Sequence, residues 1–210
     1  PAESAATLVV ESVGAPMPNP YAELAANLSP APPECLSPLS DLGALAMPID
    51  RTSPLIRVEF NLIGEAIGDE QLATLAAVKD QVTWLNLANT KVSDAGLAAV
   101  EPLHNLTRIH LEKTGITDAG LVHLKGLTGL QQLRLNNTAI SDAGLEHLKG
   151  LTKLQVLDVS GTLITGAGLE HLKALPELQS LELQNTLITD AGLRRLKDLA
   201  SLQRLYLQWT

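Results

Sequence analysis

The chain has 210 residues and an apolar fraction of 45%, but aromatics make up only 2% of it, so its core must be aliphatic. A net charge of −8 argues against a binder of nucleic-acid backbone, which needs clustered Lys and Arg. The single cysteine, Cys35, excludes an internal disulfide, a cysteine-based zinc cluster and a CxxCH haem attachment within this sequence, and no apolar run reaches the roughly 18 residues of a membrane span.

In chain order, the start "PAESAATLVVESVG" shows no basic region followed by a long apolar stretch, so no signal peptide is visible. Ten of the twelve prolines fall in residues 1–54. Residues 1–36 read as a Pro/Ala-rich linker or extended arm, broken by one helical turn at Tyr21–Leu28. Cys35, beside two prolines, reads as a spare thiol. From "SPLSDLGALAMPI" a helical pattern returns, with Ser37 as the expected cap and Pro38 in the first turn. Residues 37–56 are expected to form the N-terminal cap that a stacked array needs over its first apolar edge; a docking segment for another protein is the alternative.

From residue 57 onward the sequence repeats itself. Five full units begin at Val82, Leu106, Leu130, Leu154 and Leu178 with a period of 24 and no gap, and a partial unit, "LQRLYLQWT", begins at Leu202. A degenerate copy precedes them, with Phe60, Leu62, Ile67, Asp69 and Leu72 placed 25 residues before their counterparts. The unit is L-x-x-L-x-L-x-x-T-x-I-[ST]-D-A-G-L-x-x-L-x-x-L-x-x. Its L-x-L core alternates with period two, which predicts a short strand buried on one face. Ser/Thr followed by Asp, ahead of Leu-x-x-Leu-x-x-Leu, predicts a helix start in which side-chain oxygens cap free N–H groups. Gly166 replaces that Asp in the fourth full unit, so its helix is expected to begin less firmly. Gly96, Gly120, Gly144, Gly168 and Gly192 predict close packing of each first turn on its neighbour. Thr90, Thr114, Thr138, Thr162, Thr186 and Thr210 form a column whose hydroxyls are expected to satisfy backbone groups at the turn.

One such unit cannot bury its own apolar face, so the row should fold as a stack of neighbours. Parallel strands repeat about every 4.8 Å, whereas packed helices need roughly 8–10 Å. The helical side is therefore the longer one, and the stack curves with its sheet inward. The expected class is α/β: a curved right-handed solenoid, with a parallel sheet on the concave face and short helices on the convex face.

These residues resemble those of leucine-rich repeat proteins, close to the ribonuclease-inhibitor-like group with short α-helices, across about Arg57 to Thr210. The phrasing "TxITDAGLxxLKGL" is similar to bacterial repeats of the planctomycete type. "WLNLANTKVSDAGL", with the ending near "LYLQWT", resembles repeat tails of large extracytoplasmic proteins, often following a c-type cytochrome domain. The resemblance implies a periplasmic or other extracytoplasmic location, and an accessory role in a redox protein or complex as one reading. The CxxCH that a haem domain needs is absent from this sequence.

Motifs for chemistry are missing: there is no phosphate-binding Gly loop, HExxH, GxSxG or CxxC. His123, His147 and His171 recur at one helix position, but neighbouring helices about 10 Å apart cannot converge ligands to the roughly 2 Å that zinc requires. Ser160 near Asp158 has no histidine to complete a nucleophile–base pair. The expectation is a non-enzymatic chain without cofactor or metal.

What varies from unit to unit is the set of residues between the buried leucines, which point onto the concave face. One column is expected to run Glu59, Trp84, Arg108, Gln132, Val156, Ser180, Arg204. The next runs Asn61, Asn86, His110, Arg134, Asp158, Glu182, Tyr206. Arg108, His110 and Arg134 make the middle units basic, and Asp158 and Glu182 make the following ones acidic, an arrangement that would orient a partner of opposite polarity. Trp84, Tyr206 and Trp209 set aromatic rings at the two ends, and Trp, Tyr and Arg dominate interface energetics. The predicted partner-binding residues are accordingly Trp84, Arg108, His110, Arg134, Asp158, Glu182, Arg204 and Tyr206. Trp209 lies at the terminal edge, as an aromatic lid or a partner contact. The expected ligand is a protein or peptide rather than nucleic acid or membrane, with the chain a candidate subunit of a larger complex.

Overall fold

In the computed structural model, which describes residues 21–208, eight strands form one sheet in sequence order. They are β1 (Leu45–Pro48), β2 (Ile56–Glu59), β3 (Val82–Asn86), β4 (Arg108–His110), β5 (Gln132–Arg134), β6 (Val156–Asp158), β7 (Ser180–Glu182) and β8 (Arg204–Tyr206). From β2 to β8 every pairing is parallel. From β3 onward the register advances by one full repeat, so that Leu85, Ile109, Leu133, Leu157, Leu181 and Leu205 face one another in line. All but the last of these are buried, joined inside by the aliphatic side chains of the opposite wall. The result is a curved α/β solenoid around one continuous aliphatic core. Leu205, in the last strand, is 38% exposed because no later described unit covers it.

The opposite wall corrects the expectation of α-helices. Its segments are mainly 3-10 turns, at Gly96–Val100, Gly120–Leu124, Glu146–Leu148, Gly168–Ala174 and Arg194–Asp198, with single α-turns at Asp142–Leu145 and Asp190–Leu193. The sequence contains the cause. Leu97, Val100 and Leu103 are spaced by three, as are Leu121, Leu124 and Leu127, and all six are buried. A 3-10 turn has three residues per turn and eclipses side chains at i and i+3, so it keeps such a series on one face.

The threonines act at the turn that follows each strand. The hydroxyls of Thr90, Thr114, Thr138, Thr162 and Thr186 each donate to the carbonyl three residues back, at 2.5–2.7 Å. The residue before each threonine has left-handed backbone: Asn89, Lys113, Asn137, Gly161 and Asn185 have φ between 53° and 66°. Asn and Gly suit that conformation. Thr210 and Trp209, the next members of these two columns, lie outside the described residues.

The conserved-looking Asp of the unit has a partner the repeat alone does not suggest. It bonds to the following repeat, not to its own helix. Asp69 accepts from the Ser93 N–H at 2.7 Å and hydroxyl at 2.6 Å. Asp94 holds Thr117, Asp118 holds Ser141, and Asp142 holds Thr165 in the same two-bond manner. The recurrent glycine makes room for this ladder, since a methyl at Gly96, Gly120, Gly144 or Gly168 would overlap the carboxylate of the preceding unit. The effect of Gly166 is therefore displaced by one repeat: Thr165 keeps its bonds to Asp142, whereas Gly166 offers Thr189 no carboxylate, and the Thr189 side chain makes no capping bond to its own helix. There the two turns close until Gly166 and Gly192 meet backbone to backbone.

The first unit departs from the expected spacing. Val58 pairs with Leu85 and Glu59 with Asn86, an offset of 27, while Ile67 keeps its offset of 25 from Val92. The extra two residues lie in the turn around Asn61–Gly64, so Glu59 belongs to the second column and Arg57 takes its place beside Trp84, while Asn61 is no longer level with Asn86.

Ahead of the repeats, α1 (Ala22–Ala25) is the single helical turn, and α2 (Pro33–Asp41) begins four residues before Ser37. Pro33 occupies its first position, where the missing N–H is harmless. Pro38 is interior and leaves the Glu34 carbonyl without its helical donor, and Ser37 Oγ donates to that carbonyl at 3.1 Å. Cys35 lies half-buried in α2 as a free thiol packed against the core. Leu39 is fully buried against the first repeat, and β1 pairs antiparallel with β2, covering that edge of the sheet.

Candidate functional site

Four of the predicted residues come together on the concave face. In-register pairing sets Trp84 beside Arg108 and His110 beside Arg134. With Glu59, Asn86 and Gln132 they line a cavity of about 340 Å3, at the lower end of the roughly 300–1,000 Å3 typical of ligand sites. Its aromatic wall is held from outside the repeats. Tyr21 packs edge-on to Trp84 with ring centroids 6.3 Å apart, and the Trp84 indole N–H donates to its hydroxyl at 3.1 Å. Trp84 also carries the Arg108 guanidinium 4.3 Å from its ring centroid, a cation–π contact. No reading of the repeat pointed to Tyr21. Its only signal is that an aromatic residue, one of five in the chain, stands in a proline-rich segment.

Charge in the cavity is biased toward positive. Asn86 donates to the Glu59 carboxylate at 2.8 Å. Burial, with Arg134 and Arg108 nearby, lowers the His110 imidazole to about 4, so it is neutral at pH 7 and its 3.8 Å approach to Glu112 is no ion pair there. Burial raises the Glu112 carboxyl above its usual range, against the pull of Arg134 at 4.0 Å. Arg134 Nε and Glu112 Oε2 are both buried without a hydrogen-bond partner. Among the described residues no carboxylate lies within ion-pair distance of Arg108.

The remaining predicted residues stand apart from this cavity. Asp158 is only 5% exposed, and its carboxylate accepts from the Ser160 N–H at 3.0 Å and from the Ser160 hydroxyl. Its charge is thus spent on its own turn, which leaves Glu182 as the acidic group of the downstream half. Arg204 and Tyr206 lie exposed on β8 at the far end. On the convex side His123 bonds to Glu101 at 2.5 Å, and among the described residues no three His, Cys, Asp or Glu side chains converge on one point.

Comparison with known proteins places this architecture. The model of the leucine-rich repeat family matches residues 104–164 and 152–210, together just over half of the chain. No curated protein matches the sequence. Among solved structures the chain is similar to internalin C2 from Listeria monocytogenes, with 28% identity and a TM-score of 0.56 over 65% of this chain and 55% of that one. It also matches an internalin (inlF) from the same organism, at 21% identity and a TM-score of 0.46, over 64% of this chain and 43% of that one. The chain thus spans about half the length of the structures it matches.

Proposed function

The chain belongs to the leucine-rich repeat family, and from that premise we propose that it is a non-enzymatic scaffold that binds a protein or peptide along its concave face. Proteins of this family generally act as protein-binding scaffolds, and internalin C2 shares the fold. The observation that carries the choice of face is the cavity that spans β2 to β5. There the variable positions of successive units gather Trp84, Arg108, His110 and Arg134 on a framework whose fixed positions are spent on the core. An extracytoplasmic location extends this reading. It rests on the likeness to extracytoplasmic repeat tails.

The test is selection of peptides from a random display library on the immobilised full chain, followed by binding of the selected peptides to Arg134→Ala and Tyr206→Ala variants. Weaker binding with an unchanged melting temperature supports the concave face. Unchanged affinity in both variants overturns it.

A further inference from the structure

Building on that reading, we infer that the cavity bounded by Trp84, Arg108, His110 and Arg134 takes one carboxylate, the side chain of an Asp or Glu in an extended peptide lying along the sheet.

The donors are in place and unspent. Arg108 is held by its stack on Trp84, which is itself locked by Tyr21, and among the described residues no acceptor engages its guanidinium. Such fixation lowers the conformational entropy lost when an arginine fork closes on a carboxylate. Arg134, one strand further, has a buried Nε with no partner and only a 4.0 Å approach to Glu112. A buried N–H left in this state costs free energy that an incoming oxygen recovers. Gln132, between the two strands' arginines, adds an amide whose nitrogen lies 3.4 Å from His110 Nε2.

The charge count selects the class of anion. Two guanidinium groups face one lining carboxylate, Glu59, with His110 neutral, so the cavity walls carry a single net positive charge at pH 7. A carboxylate balances it. A phosphate dianion would leave an excess negative charge beside Glu59, with Glu112 close behind Arg134. Position selects the source. The cavity spans β2 to β5 of a face that continues through β8, so a chain lying along the face passes over it and presents a side chain there.

The experiment uses the display library on the full chain, then synthetic versions of the selected peptides with one acidic residue changed to its amide, and versions shortened to end at that position. Arg108→Gln and Arg134→Gln variants are measured in parallel, with circular-dichroism melts as the folding control. Enrichment of an acidic residue is expected, with a loss on the order of 10–100-fold for the Glu→Gln peptide or either Arg→Gln variant, the worth of a charge-assisted hydrogen bond. Neutral or basic consensus sequences, equal affinity of the Glu and Gln peptides, no enrichment, or acidic peptides that bind both variants undiminished each overturn the inference. Shortened peptides that bind better than the internal ones reassign the cavity to a terminal carboxylate and overturn it as stated. Neutral peptides that still weaken on Tyr206→Ala leave the concave-face reading standing while this one falls, and peptides indifferent to every concave-face substitution remove both.

Discussion

Replacing Gly120 by Ala tests whether the recurrent glycine exists to admit the carboxylate of the preceding repeat. In most helical settings this change is favourable by roughly 0.5–1 kcal/mol, through reduced backbone freedom of the unfolded chain. Here the added methyl overlaps the Asp94 carboxylate, which holds the Thr117 N–H at 2.7 Å and the Thr117 hydroxyl at 2.6 Å. Expelling it breaks two hydrogen bonds to a charged acceptor, each worth roughly 1.5–3 kcal/mol where buried. The site is half-buried, so the lower end applies to both. After subtraction of the helical gain, Gly120→Ala should cost about 2–3 kcal/mol, and Asp94→Ala about 3 kcal/mol. Because one event underlies both losses, the double variant should cost no more than Asp94→Ala alone, a coupling of about 2–3 kcal/mol. Urea denaturation of the four proteins, followed by circular dichroism, measures the cycle. Costs that add to within ~0.5 kcal/mol would refute the ladder as the reason for the glycine.

At the break in that ladder, Gly166→Asp restores the repeat's own consensus yet should destabilise by about 1–3 kcal/mol, because its Cβ would run into the Gly192 backbone; a higher melting temperature would contradict the close approach. The His110 imidazole should titrate near 4 by NMR. The unfolded chain then binds the extra proton first, so His110 contributes stability fully above pH ~6.5 that is lost as pH falls toward 4. Glu112, with its raised pKa, acts in the opposite direction over the upper part of its titration, and His110→Gln should flatten the acid limb of the stability curve measured by melts at successive pH values. Finally, Tyr21→Ala, in a Trp209→Phe background, should make Trp84 more accessible to acrylamide quenching and weaken selected peptides, whereas unchanged quenching would show that Tyr21 does not wall the cavity.

Much of this architecture was legible because the repeat states each rule several times over. Alternation in "LRL" or "LDV" gives the strand, and copying at 24 residues sets the register that aligns Arg108 with Gln132 and Trp84. The 3-10 character was also legible, in leucines spaced by three where α-helix would require three and four. Four features were hidden. The partner of Asp94 sits in the next unit, and a repeat pattern says what recurs but not which copy a side chain reaches. The two extra residues near Asn61 fall in a turn that carries an exposed leucine, Leu62, so alignment on the apolar positions matched it to Leu87 and shifted Glu59 by one column. Asp158 looks like a free charge on the face until Ser160, two residues on, is seen to fold back on it. Tyr21 was hidden for a different reason: its contact with Trp84 spans 63 residues and leaves no local trace.

The in-register sheet has a geometric consequence for anything that lies along it. From β3 on, each strand presents a column residue directly beside its neighbour, at a pitch of about 4.8 Å. An extended peptide shows same-side residues only every ~6.7 Å, two steps of roughly 3.3–3.4 Å. The two rulers differ by about 2 Å per step, so a straight ligand in phase at one strand is out of phase by the next. Like the scales of a vernier, they coincide at one mark and drift on either side. Over the described strands a face built from repeated units therefore reads its ligand at a point, and the two rulers come back into step only about seven strands on.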